Sequence, residues 1–304
     1  MTQQGGTFNQ AEIFDSTSGG NYNNDGTVNT IVSSTNPSPE VDIIAGKISR
    51  SLRKTFLEMD DSLLRHCAEH QLHYSSSTGV VALLWGNLLT VAHVGDSKAC
   101  IARLTGDTVQ PEWLTVDHKP NMPQELARIE RAGGSLARLH GNKPYIRGGD
   151  FHARQAAGDH PKQLNYSRAF GGKDLKRYGL IADPDVSQFH INPDDKLVIL
   201  ASDGLWDVLN PKVACDIALR ARAEGRSATT ALVQWALQEM PNVGVRDNIT
   251  CLAVFLNDTA LATDSIATPL LVSNVGVSMP MSDRVNALTG AGTSPQAWPG
   301  TKVS

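Results

Sequence analysis

Leu197-Val198-Ile199-Leu200-Ala201-Ser202-Asp203-Gly204-Leu205-Trp206-Asp207 reads as a buried strand that runs out on an acidic turn. Five apolar residues in succession suit a strand covered on both faces. Gly204 lets the chain turn sharply. Asp203 and Asp207 lie four apart, so in a helical turn they share a face. Two carboxylates beside a hydrophobic strand repel each other unless a cation neutralises them, and hard oxygen ligands suit a divalent one. A turn whose acids face water is the other reading, and this segment alone does not separate the two.

The strands around it extend the pattern. Val80 to Trp85, a Gly86-Asn87 turn and Leu88 to Val94 predict an antiparallel hairpin. Further strands are expected over Ala99 to Leu104, Val186 to Ile191, Lys196 to Ala201 and Ile249 to Leu256. Ile44, Ile48, Leu52, Phe56, Met59 and Leu63 recur at three or four residues and predict a core-facing helix. Helices are also expected over Pro123 to Ala132, about 211–223 and about 227–239. Gly141 to Leu164 reads as a long surface excursion. Antiparallel strands with helices in blocks make an α+β layered sandwich.

If the last two strands pair antiparallel, Asp203, Asp207 and Asp247 surround one pocket, and Asp96, after another strand, joins them. No histidine or cysteine lies in these turns, which favours Mg²⁺ or Mn²⁺ over zinc. Two such cations can activate a water and clamp a phosphoryl group, so phosphate-ester hydrolysis is the leading chemistry. Cys215 and Arg220 fall within an expected helix, not a phosphate-cradling loop, so a cysteine mechanism is disfavoured. The chain has no G-x-x-x-x-G-K-[ST] loop and no G-x-S-x-G elbow.

Composition narrows the setting. The chain has 304 residues and a net charge of -4, with lysines and arginines scattered, which argues against a nucleic-acid surface. Four dispersed cysteines suggest a reducing compartment. The first residues lack the pattern of a signal peptide, and no apolar run reaches the ~20 residues that span a bilayer. A monomer in the cytoplasm or nucleus is expected. Residues 1–40 read as a disordered or atypical N-terminal segment, 41–257 as the folded domain and 258–304 as a disordered tail.

Seven ordered motifs resemble a known family. Ser77-Thr78-Gly79, Val94-Gly95-Asp96-Ser97-Lys98-Ala99 and Leu114-Thr115-Val116-Asp117-His118-Lys119-Pro120 are three of them. The helix residues Glu125, Arg128, Ile129, Gly133 and Gly134 follow, then Ser167-Arg168-Ala169-Phe170-Gly171, Ala201 to Asp207, and Asp247-Asn248. Together they resemble the type-2C (PPM) metal-dependent protein Ser/Thr phosphatases. The resemblance implies two packed antiparallel sheets flanked by helices. It implies Asp203 and Asp247 as ligands of a binuclear Mg²⁺/Mn²⁺ centre, with Asp96 and Asp207 at an adjacent, weaker third site. A metal-activated water would hydrolyse phosphoserine or phosphothreonine in phosphoprotein substrates. Residues near 141–164 would form a flap that contacts substrate. Asp117, Lys119, Arg168 and Gly171 are expected to be scaffold.

The family's D-G-H-G-G motif and its phosphate-gripping arginine are not evident. Ile13 to Gly20, with Asp15, is a loose echo, and Asn24-Asp25-Gly26 is another candidate by position. The sandwich is therefore expected to be incomplete at its N-terminal strands, with one sheet edge unpaired. The alternative function is a catalytically silent phosphatase-like binding module lacking the N-terminal metal ligands.

Overall fold

Two four-stranded antiparallel sheets form the body of the molecule in this computed structural model, which describes residues 39–256, 270–274 and 277–278. The first sheet has β11 (Cys251–Phe255), β10 (Asp195–Ala201), β4 (Lys98–Thr105) and β5 (Thr108–Trp113), in that order. The second has β12 (Leu270–Asn274), β2 (Gly79–Trp85), β3 (Leu88–Val94) and β9 (Asp185–His190). Helix α1 (Pro39–Glu69) covers the outer face of the second sheet. Helices α6 (Pro211–Ala223) and α7 (Ala228–Val243) cover the first.

The two-residue period of the strands sorts their side chains into three apolar layers. In β10, Leu197, Ile199 and Ala201 face α6 and α7, while Val198 and Leu200 face the second sheet. In β4, Cys100 and Ala102 join the helix side, and Ala99 and Ile101 the sheet interface. Val80, Ala82, Leu89 and Val91 meet them across that interface. Ala92 and Val94 turn outward to Leu52 and Phe56 of α1. This is why β10 reads as an unbroken apolar run: both its faces are core. Each fully buried Leu or Ile contributes roughly 1.5–3 kcal/mol.

Several expectations are corrected. Of the α1 stripe, Leu52 and Phe56 are buried, but Met59 is exposed; the helix buries Asp60 instead, whose carboxylate accepts from Gly171 N–H (2.8 Å) and Lys176 Nζ (2.7 Å). Strand β5 carries no strand signal in the sequence, because Thr-Val-Gln-Pro-Glu-Trp is polar and holds Pro111; it is an edge strand, where proline is tolerated. The surface excursion contains structure: β6 (Ser135–Leu139) pairs with β7 (Lys143–Arg147), and α3 (Phe151–Ala156) follows. Two pieces of the expected disordered tail are strands. The β12 backbone pairs with the outer edge of β2, and β13 (Val277–Ser278) with β1 (Ser76–Ser77). The outer edge of β2 is thus occupied, by Leu270-Leu271-Val272 and its neighbours, a sequence suited to a strand. Residues 1–38, with Asp15 and Asp25, lie outside the described residues.

Three devices set the site's geometry. Asn210 caps α6 by accepting from Val213 N–H (2.9 Å), with Pro211 opening the helix. Ser227 caps α7. Gly244, at φ 70°, ends α7 in the left-handed conformation and sends the chain back toward β11.

Candidate metal centre

The site forms where β10 ends and β11 begins. Ala201 pairs with both Cys251 and Lys98, so the turns before β4 and β11 and after β10 meet at one edge. Ser202 prolongs the pairing: its N–H donates to Thr250 O (3.0 Å), and its hydroxyl accepts from Thr250 N–H (3.1 Å). Beyond it, Asp203 opens the short helix α5 (Asp203–Trp206), and Asp207 N–H donates back to Asp203 O (2.7 Å). Trp206 pins the turn by donating Nε1–H to Lys98 O and Ala201 O, each at 3.1 Å. Gly204 lies against the Asn248 carbonyl, which brings the Asp247 turn close to Asp203.

A cavity of about 410 Å³ opens at this edge. Asp96, Asp203 and Asp247 line it, with Lys162, Asn165 and Tyr166 on its walls. Thr78 and Ser97, both buried, share a hydroxyl hydrogen bond of 2.9 Å at its floor, and Ser76 and Tyr166 another of 2.8 Å. Burial and the nearby carboxylates of Asp96, Asp247 and Asp207 push the Asp203 carboxyl up to about 7. Lys119 offsets part of this charge. Its ammonium donates to Asp96, and despite its burial Asp96 and Asp117 hold its proton more firmly than usual. Lys98 pairs with Asp117 at 3.4 Å.

Asp207 stands apart from the other three. It does not line the cavity; its carboxylate is half-exposed and accepts from Lys143 Nζ at 3.1 Å, at the start of β7. The helical turn separates it from Asp203 and points it to the rim. The cavity wall also holds residues that sequence reasoning did not single out. Lys162 is half-buried, with no ion pair recorded for it among the described residues. Tyr145 and Gln163 accompany it. All three fall in the stretch expected to contact substrate, but no local pattern marks one lysine among many.

The scaffold residues form a second network behind the site. Glu125 accepts from Arg128 (2.8 Å) and Arg168 (2.8 Å), and Arg168 also donates to Asp185 (2.7 Å). Burial would raise the Glu125 carboxyl, but Arg128 and Arg168 outweigh it and hold it far below the usual range. His93 and His118 stack beside this network, 4.5 Å apart and 11° from parallel. With Asp185 they bring nitrogen and oxygen atoms together, yet in-plane lone pairs on near-parallel rings do not converge on one ion. Burial, then His118, pushes His93 down to about 3, which keeps it a neutral core residue.

The donor set of the cavity fits hard divalent cations: carboxylate and hydroxyl oxygens with no histidine or cysteine among its lining residues. A carboxyl driven toward neutrality by other carboxylates is a group that a cation would relieve. The class defined by fold and site is therefore a two-sheet sandwich flanked by helices, with an acidic hard-cation cavity at one end.

Comparison with known proteins agrees with this class. The family model described as Protein phosphatase 2C matches residues 9–249, a span that includes Asp15, Asp25, Asp96, Asp203 and Asp247. The chain belongs to the protein phosphatase 2C family. It is 34% identical over 204 residues to "Probable protein phosphatase 2C 61" of Arabidopsis thaliana, covering 65% of this chain and 60% of that protein. It is 34% identical over 196 residues to "Probable protein phosphatase 2C 12" of Oryza sativa subsp. japonica, covering 62% and 48%. The crystal structure of a serine-threonine phosphatase 2C from Toxoplasma gondii is 43% identical with a TM-score of 0.69, over 74% of this chain and 72% of that one. The chain spans about half the length of the curated relatives it matches.

Proposed function

We propose that the protein hydrolyses phosphoserine and phosphothreonine in proteins, using a water activated at a binuclear Mg²⁺ or Mn²⁺ centre. The observation that carries this reading is the convergence of Asp96, Asp203 and Asp247 on one cavity in a chain of this family. When bound, the cations supply the Lewis acidity that activates a water and neutralises phosphoryl oxygens. Asp203 and Asp247 would hold the pair of ions, and Asp96 would serve an adjacent third ion. Asp207, tied to Lys143, would act there through its charge. Asp15 and Asp25, within the family match, are the candidates for the remaining carboxylate.

Lys162 has the position and charge to grip the substrate phosphate. A half-buried ammonium lining the same cavity as three carboxylates attracts an anion there, and a hydrogen bond to a charged group is worth about 1.5–3 kcal/mol. Lys119 cannot take this role, because it is committed to Asp96.

The reading is tested by phosphate release from a phosphothreonine peptide with Mn²⁺ and with chelator. Release is expected only with the metal. Lys162→Met should lower kcat/KM roughly 10–100-fold, mainly through KM, while leaving Mn²⁺ affinity unchanged. Metal-independent release would overturn the metal assignment. A folded protein with no release at any Mn²⁺ concentration would favour the silent binding module.

A further inference from the structure

We infer that the end of α1 carries a second metal site, formed by His66, Glu69 and His70, for a borderline divalent cation such as Zn²⁺. Its chemistry differs from that of the acidic cavity. Two imidazoles and one carboxylate form the His₂Glu set that zinc takes with an open fourth position for water. Hard Mg²⁺ and Mn²⁺ prefer the all-oxygen cavity.

The geometry follows from the helix. Residues four apart lie one above the other on a helical face, and the residue at three stands beside them. His70 N–H donates to His66 O at 3.1 Å, so the helical turn continues through His70. One ligand atom from each of the three side chains lies within 4.8 Å of the others. Tetrahedral zinc with bonds of about 2.0–2.1 Å needs its ligand atoms roughly 3.3 Å apart. All three side chains are exposed, so rotamer changes can close that gap. The His66 and His70 rings are 4.3 Å apart and tilted by 51°, not stacked face to face as His93 and His118 are.

The backbone beneath the site is anchored. Cys67, next to His66 in the helix, is buried, Leu72 N–H donates to Cys67 O (2.8 Å), and Asp60, about two turns back, holds Gly171 and Lys176. Such anchoring fixes the backbone that carries the ligands, while their side chains stay free to turn onto the ion. The chain leaving the site reaches Tyr74 and Ser76 on the wall of the acidic cavity, so an ion on α1 would brace that wall.

The test is calorimetric titration of Zn²⁺ into the tag-free full chain, with excess Mg²⁺ present for the acidic cavity. Wild type is compared with His66→Ala, His70→Ala, the double variant and, separately, Asp203→Asn. Wild type and Asp203→Asn should take one more Zn²⁺ equivalent than the double variant, and each single histidine variant should weaken that equivalent about tenfold or more. Zn²⁺ should raise the thermal midpoint of wild type more than that of the double variant. The inference is overturned if the double variant binds Zn²⁺ with unchanged stoichiometry and affinity, or if the extra equivalent is lost in Asp203→Asn instead. These readouts are independent of phosphatase activity, so either reading can fail alone.

Discussion

At Gly204 the chain passes so near the Asn248 carbonyl that an added Cβ would lie 2.1 Å from its oxygen. That contact joins the Asp203 turn to the Asp247 turn. Gly204→Ala should force them apart, costing about 1–3 kcal/mol and weakening Mn²⁺ binding; denaturant unfolding and Mn²⁺ titration of the same variant check both. Asp203 itself opposes folding when no cation is present. Its carboxyl sits at about 7 in the folded chain against 3.8 ordinarily, so the folded state holds the proton more tightly. This contribution is fully present below about 3.8 and is lost as pH rises through about 7. In chelator at pH 8, Asp203→Asn should therefore raise the thermal midpoint, by about 2–4 °C for each 1 kcal/mol of repulsion relieved. The same variant should lose the stabilisation that Mn²⁺ gives wild type. Midpoints measured from pH 4 to pH 8 should show the two proteins diverging up to about pH 7 and running parallel above it. The acids Asp96, Asp203 and Asp247 were legible in the sequence because each ends or precedes an apolar strand. The rim position of Asp207 was not, because spacing gives a shared face but not what that face meets. Lys162 was not legible because its role depends on β7 and the loop after α3 folding over the cavity.

Among the elements, the loop and helix that carry Glu125 and Arg168 brace the cavity from behind. Glu125 is almost fully buried between two arginines, so removing it strands their charge. Glu125→Ala should cost about 3–5 kcal/mol, read from urea unfolding at neutral pH. Its carboxyl lies below its ordinary 4.5 in the folded state, so its contribution is present above about pH 4.5 and lost as pH falls further. Wild type should weaken through that range, and Glu125→Ala should show a shallower acid slope. The strands with apolar alternation, and α2 (Pro123–Arg131) between its proline and Gly133, were readable from sequence. Strand β5 was hidden by its polar edge pattern. The β6–β7 hairpin was hidden by weak alternation in Ser-Leu-Ala-Arg-Leu. The pairing of β12 with β2 was hidden because a contact across nearly 190 residues of chain leaves no local mark.

For the whole molecule, three apolar layers and one acidic end express a single arrangement. Apolar faces on both sides of β4 and β10 fix the two sheets against each other and against the helices. The turns at one end of those strands are left to gather carboxylates that the core cannot hold. The central claim is that these carboxylates form a metal-dependent phosphatase centre. The most direct measurement is phosphate release from a phosphothreonine peptide across a Mn²⁺ titration, in wild type and in Asp203→Asn shown to be folded. Wild type should gain activity with Mn²⁺, and Asp203→Asn should stay at least about 100-fold lower throughout. Equal activity in the two proteins, or none in wild type at any Mn²⁺ concentration, would contradict the account.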